Sequence, residues 1–367
     1  MKINLNFIGK NILDSSRLFR YALTMSNQEP KTLQAAILYF ADPDNCISYL
    51  VARRWPDGVV SCPVCGSDKV AYVASRRVWQ CKTRHSKAQF SIKVGTIFED
   101  SPIALDKWLM AMWMLANCKN GVSSWEIHRT LGITQKSAWF MLHRIRLALG
   151  HEPEGKMGGE NGGPVEVDEA FVGGDPKNRH MSKRLQGKYI KDASGYSVRN
   201  PDYKSEAGRG SKKIPVVGIL DRDAREVRAK VVPNVSRETL QDAILANIEG
   251  GSTVYTDAAH QYNNLPALDY IHGAVNHMEE YVRGDIHTNG LENFWALLKR
   301  GLKGTYVAVE PFHLDRCVTE QVFRYNNRST TKRPMSDSDR FSLAVSLIVG
   351  KRLTYAELTG KDQARQF

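Results

Sequence analysis

Apolar residues recur along this chain with two different periods. From Thr32 to Trp55 the spacing of Leu33, Ala36, Ile37 and Phe40, then Ile47, Leu50 and Val51, predicts two short helices. They break at Asp42-Pro43-Asp44, where Asp42 or Asp44 can cap the second. Pro56-Asp57-Gly58 then turns into a compact cysteine-bearing module that runs to about Glu99. Residues 101–150 return to helical spacing, interrupted at Gly121 and at Leu131-Gly132-Ile133-Thr134. Beyond a stretch rich in Gly, Glu and Pro, strand-like runs appear at Pro164–Val172, Ile214–Leu220, Glu226–Val232 and Ser252–Thr256. Helices are predicted at Ser236–Ile248, Asn289–Arg300 and near Phe312–Asn326, so the larger part of the chain reads as an α/β domain.

These changes of pattern divide the chain. Residues 1–30 form an unassigned extension, with Met25 an alternative start, and 31–100 hold the short helices and the cysteine module. Residues 101–150 are helical, 151–163 a linker, 164–330 the α/β domain with an insertion at 175–213, and 331–367 a tail without functional signal.

Charge points to a polyanionic partner. The 367 residues carry a formal charge of +12, which bears on association and not on fold. The insertion concentrates it, with eleven cations, among them Lys183 and Arg184, against four acids. Such a segment can neutralise several phosphates. No secretory leader or long apolar span is evident, so a cytoplasmic protein without a membrane partner is expected.

Three of the six cysteines cluster, which suits a metal in a reducing compartment better than a disulfide framework. Cys62-Pro63-Val64-Cys65-Gly66 is a thiolate knuckle, and Cys81 follows two strand-like segments, Lys69–Val73 and Arg77–Gln80. Position 84 is Arg, so His85 is the candidate fourth ligand of a closed, structural Zn²⁺ site. Downstream, Ser123 or Ser124 can cap one helix, Gly132 makes a turn and Thr134 caps a second. This has the form of a helix-turn-helix, with Gln135, Lys136 and Arg144 as candidate DNA-reading residues.

The candidate chemistry lies in carboxylates. Asp168 sits in the apolar strand Val165–Val172, sharing a face with Glu166 and Ala170, while Val165, Val167 and Glu169 take the other. A buried carboxylate is costly unless it binds a metal or finds a partner. Asp257 ends a second strand. Glu292 lies on an amphipathic helix whose apolar stripe is Leu291, Phe294, Trp295 and Leu298, with Lys299 two turns on along the same face. Three such carboxylates suit two Mg²⁺ or Mn²⁺ ions that activate a water or a DNA 3′-hydroxyl.

The motifs Cys62–Cys65, Gln89–Ser101, Val167–Gly174, Tyr255-Thr256-Asp257, His287–Gly304 and Phe323-Arg324-Tyr325-Asn326, in this order, resemble the DDE transposases of bacterial insertion sequences. The resemblance is to the ISXO2-like group, which has an N-terminal zinc ribbon and a catalytic domain of ribonuclease-H-like fold. It implies Asp168, Asp257 and Glu292 as catalytic carboxylates, with Asn289 as an alternative third residue. Lys299 and Arg300, with Lys183 and Arg184, would meet DNA backbone. The expected activity is metal-dependent cleavage and strand transfer at terminal inverted repeats, by a homodimer or larger assembly on double-stranded DNA in the bacterial nucleoid. The alternative is a zinc-ribbon and helix-turn-helix DNA-binding regulator whose nuclease-like domain is silent.

Overall fold

The computed structural model describes residues 29–150, 155–159, 162–173, 188–192, 194–201, 213–275, 284–307 and 309–361. Lys183 and Arg184, most of the basic insertion and Met25 lie outside the described residues. In chain order the helices and strands are α1 (Leu33–Phe40), α2 (Pro43–Arg54), β1 (Val70–Val73), β2 (Val78–Cys81), β3 (Gln89–Phe90), α3 (Leu105–Asn117), α4 (Ser124–Leu131) and α5 (Gln135–Leu149). There follow β4 (Val165–Val172), β5 (Tyr189–Lys191), β6 (Ser197–Arg199), β7 (Ile214–Asp221), β8 (Glu226–Val231), α6 (Arg237–Asn247), β9 (Thr253–Asp257), β10 (Ile271–Val275), α7 (Asn289–Gly301), α8 (Pro311–Asn326), α9 (Asp337–Ser346) and α10 (Tyr355–Leu358). The chain forms two compact units, residues 1–152 with 303–307 and 319–367, and residues 153–302 with 308–318.

In the first unit the helix starts follow the capping chemistry of the sequence. Thr32, Asp42, Ser123 and Thr134 each accept a backbone N–H of the helix that follows, and Ser123 with Glu126 closes a reciprocal box. Gly132 ends α4 in the left-handed region (φ 60°), which a side chain would strain. The antiparallel sheet β1-β2-β3 carries Trp79, which is 1% exposed and wedged against Trp55, Tyr72 and Phe90. Residues 331–367, a tail by sequence, supply Phe341, Ala344, Val345 and Ile348 to this unit's core. Phe341 packs against Tyr49 and Trp113, with ring centroids 5.5 and 5.0 Å away.

The second unit is built on a five-stranded sheet of order β10-β9-β4-β7-β8. β4, β7 and β8 are antiparallel, whereas β9 runs parallel to both β4 and β10. Val165, Val167, Val217 and Ile219 on one face bury against Leu240 and Ile244 of α6. The other face receives α7, whose Leu291, Phe294, Trp295 and Leu298 are at most 4% exposed. Gly218 on β7 makes room for it, since a Cβ there would come within 2.6 Å of the Trp295 ring. Strand β10 lacks a predicted counterpart because Gly273 and His272 interrupt its apolar run. Part of the insertion forms an exposed hairpin, β5 with β6.

Candidate active site and structural metal centre

The knuckle in the first unit closes tightly: Gly66 (φ 72°) donates its N–H to Cys62 O at 2.8 Å. Cys62 Sγ lies 3.5 Å from His85 Nε2 and Cys65 Sγ 3.7 Å from Cys81 Sγ, and the four ligand atoms are within 4.8 Å of one another. A tetrahedral zinc, with Zn–S about 2.3 Å and Zn–N about 2.0 Å, sets S···S near ~3.8 Å and S···N near ~3.5 Å. The Cys62–His85 and Cys65–Cys81 pairs therefore stand at the edge lengths of a zinc tetrahedron. His85 Nδ1 is 2.6 Å from Ser86 O, which places the proton there and leaves the Nε2 lone pair for a metal. Burial pushes the Cys62 thiol up, but the amides of Cys65 and Val64 outweigh it and hold the thiol below its ordinary value, favouring thiolate. With every ligand supplied by protein, such a site is structural.

In the second unit Asp168, Glu169 and Asp257 gather, each offering an oxygen within 4.8 Å of the others. Strand alternation sends Asp168 toward α7 and Glu169 toward α6. Asp168 Oδ2 accepts Trp295 Nε1–H at 2.9 Å, while Glu169 accepts the hydroxyl of buried Tyr262. Asp257, at the end of the neighbouring strand, stands at the corner both can reach. One of its oxygens accepts Ala259 N–H at 3.1 Å, so it also caps the turn that follows. Burial, with the charges of Asp257 and Glu292 adding to it, pushes Asp168 up to about 6 despite the Trp295 bond. Burial likewise raises Glu169 to about 7, with Asp257 and Asp168 contributing.

Of the expected trio, Asp168 and Asp257 belong to this group, and its third member is Glu169 instead of Glu292. Glu292 lies exposed in the first turn of α7, three residues before Trp295 and so on the same side of the helix. Its charge still raises Asp168. Asn289 is exposed one turn earlier, and Lys299 and Arg300 are exposed in the last turn. Glu169 escapes two-residue alternation, which places it behind the strand. The signal that finds it is an adjacent pair of acids in a strand that is apolar apart from these and Glu166.

Among the expected DNA-reading residues, Arg144 is a correction. It is 4% exposed, donates to Glu99 O and packs on the rings of Trp108 and Phe140. Its place on the inward side of α5 gives it to the core. Lys136 is exposed, its ammonium 4.7 Å from the Tyr355 ring, and half-buried Gln135 donates to Ser124 Oγ at 3.0 Å. Among the described residues, no helix is long and apolar enough to cross a membrane.

Residues 161–326 match the ISXO2-like transposase domain and residues 41–83 the transposase zinc-ribbon domain. An uncharacterized protein in transposable element ISH50 of Halobacterium salinarum is 29% identical over 272 residues, 72% of this chain and 84% of that one. An uncharacterized transposase-like protein of Haemophilus influenzae is 31% identical over 102 residues, covering 28% of this chain and 82% of the relative. A chain of the simian T-cell lymphotropic virus intasome complexed with PP2A regulatory subunit B56 gamma is 12% identical, at a TM-score of 0.28 over 62% of this chain and 72% of that one, too loose a likeness to assign a fold. With a zinc-ribbon module ahead of a mixed α/β domain and both family patterns in register, the chain belongs to the ISXO2-like transposases of insertion sequences.

Proposed function

We propose that this transposase binds the terminal inverted repeats of its element, cleaves a phosphodiester at each end, and joins the freed 3′-hydroxyls to target DNA. The observation that carries the reading is the carboxylate group on β4 and β9, beside the helix that bears Glu292. The three-strand meander followed by two parallel strands supports a ribonuclease-H-like fold for the domain.

Asp168, Asp257 and Glu292 are the proposed ligands of Mg²⁺ or Mn²⁺. Their hard oxygen donors suit such ions, and burial, with neighbouring acids adding to it, raises Asp168 and its neighbour Glu169 to about 6 and 7, which a bound cation would offset. When bound, a pair of divalent ions activates the attacking oxygen and stabilises the leaving one. Glu292 is preferred to Asn289 because its charge reaches Asp168. In cleavage a water oxygen bonds to phosphorus as the bond to the 3′-oxygen breaks. In joining, the freed 3′-hydroxyl attacks a target phosphorus and displaces another 3′-oxygen. Both are in-line displacements, so one site serves both. Trp295 fixes one Asp168 oxygen and with it the orientation of the carboxylate.

Lys299 and Arg300, with Lys183 and Arg184, are assigned to phosphates. Gln135 and Lys136, at the start of α5, are assigned to the end sequence in a helix-turn-helix mode. Concerted joining of two ends calls for at least a dimer on DNA.

The test is a labelled end-sequence duplex incubated with protein and Mg²⁺. Nicking at the element end is expected from wild type and is lost in Asp168→Ala and Asp257→Ala. Nicking that survives both substitutions refutes the site. Binding by wild type without nicking favours the regulator.

A further inference from the structure

Glu166 is 1% exposed and shares a face of β4 with Asp168, yet it takes no part in the carboxylate group. Its oxygens are occupied. Oε1 accepts Arg222 Nε–H at 2.7 Å and Oε2 accepts Leu291 N–H at 3.0 Å. That amide belongs to the first turn of α7, where backbone N–H groups have no partner within the helix and a negative charge is favoured. Gly290 permits the approach, since a Cβ there would lie 2.9 and 3.1 Å from the two carboxylate oxygens. Arg222 extends the contact along the lead-in to the helix. It donates to Asp285 O at 2.8 Å and to His287 O at 2.6 Å, with its guanidinium 4.8 Å from the Tyr255 ring. The strand that bears Asp168 is thus tied to the helix that bears Glu292 at its first turn, and again one turn on through Trp295.

We infer that Glu166 and Arg222 are positioning residues that hold the first turn of α7, and with it Glu292, at a fixed reach from Asp168. This rests on Glu292 being the third ligand, as proposed above. Leu291 directly precedes Glu292, so displacing the first turn displaces that carboxylate with it. Each Glu166 oxygen is drawn to a donor, Arg222 on one side and the helix amide on the other, which holds this acid away from the active group.

The test is Mn²⁺ binding to the full chain without DNA, followed by calorimetry, with end-duplex affinity and melting measured beside it. Glu166→Gln keeps the side-chain shape but turns an amide donor on one of two donors. Gly290→Ala keeps every charge and presses on the carboxylate. Each is expected to weaken Mn²⁺ about tenfold, the usual scale for losing a residue behind a ligand, with duplex affinity unchanged, while Glu166→Gln also lowers the melting temperature because it leaves Arg222 without its buried counter-charge. Neither should weaken it further when Glu292 is already Ala. Wild-type Mn²⁺ affinity in both variants, with Glu292→Ala weakened, overturns the positioning role and leaves the site standing. Further weakening in the Glu292→Ala background overturns it too. Wild-type affinity in Asp168→Ala and Glu292→Ala refutes the underlying site instead. Should Glu166→Gln fail to fold, Gly290→Ala decides.

Discussion

Replacing Asp168 by Asn should stabilise the protein while abolishing its chemistry, and the gain should grow with pH. The carboxyl is pushed from 3.8 to about 6 on folding. A group that holds its proton more tightly when folded contributes stability that is complete below its unfolded value and lost as pH rises through its folded one. At 1.36 kcal/mol per tenfold change, ionising Asp168 costs the folded state about 3 kcal/mol at pH 8 and about 1.5 kcal/mol at pH 5. Asn keeps the oxygen that accepts Trp295 Nε1–H, and its new amide faces Asp257 and Glu169, both acceptors. Asp168→Asn should therefore gain about 2–3 kcal/mol at pH 8 and roughly half as much at pH 5, in urea unfolding without added divalent ion. Millimolar Mg²⁺ should raise wild type and leave the variant unmoved, narrowing the gap between them. Equal or lower stability of Asp168→Asn at pH 8 would refute the argument that the bare acidic group strains the fold.

Two further outcomes concern the first unit. His85→Ala should release its zinc to a chromophoric chelator much faster than wild type, and unchanged release would remove His85 from the ligand set. Glu320 is fully buried with Arg146 Nε at 2.6 Å and Arg324 beside it, and these cations hold its carboxyl below the ordinary value against burial. Glu320→Ala strands two buried guanidinium groups and should cost about 3–5 kcal/mol in thermal or urea unfolding; a change under about 1 kcal/mol would mean that water reaches the pair.

Elements governed by local chemistry were readable in the sequence, and those governed by distant partners were not. Ser123, Thr134 and Ser236 cap helices where short-range rules place them, and β4, β7, β8 and β9 fall within a residue or so of their apolar runs. Arg144 could not be judged from its own helix, because Trp108 and Glu99, which enclose it, come from elsewhere in the chain. Glu169 was hidden for the same reason. Alternation fixes the face it takes, but only the pairing of β4 with β9 brings Asp257 to the edge it shares with Asp168. The role of Glu166 depends on Arg222, 56 residues on, and on a helix amide further still.

The closing stretch of chain that gives Phe341 to the first unit bears on how this protein is made. A ribosome must pass α9 before that aromatic layer can shut, although the unit's first helices emerge some three hundred residues sooner. Synthesis that stops before α9 therefore leaves Tyr49 and Trp113 without the ring that covers them.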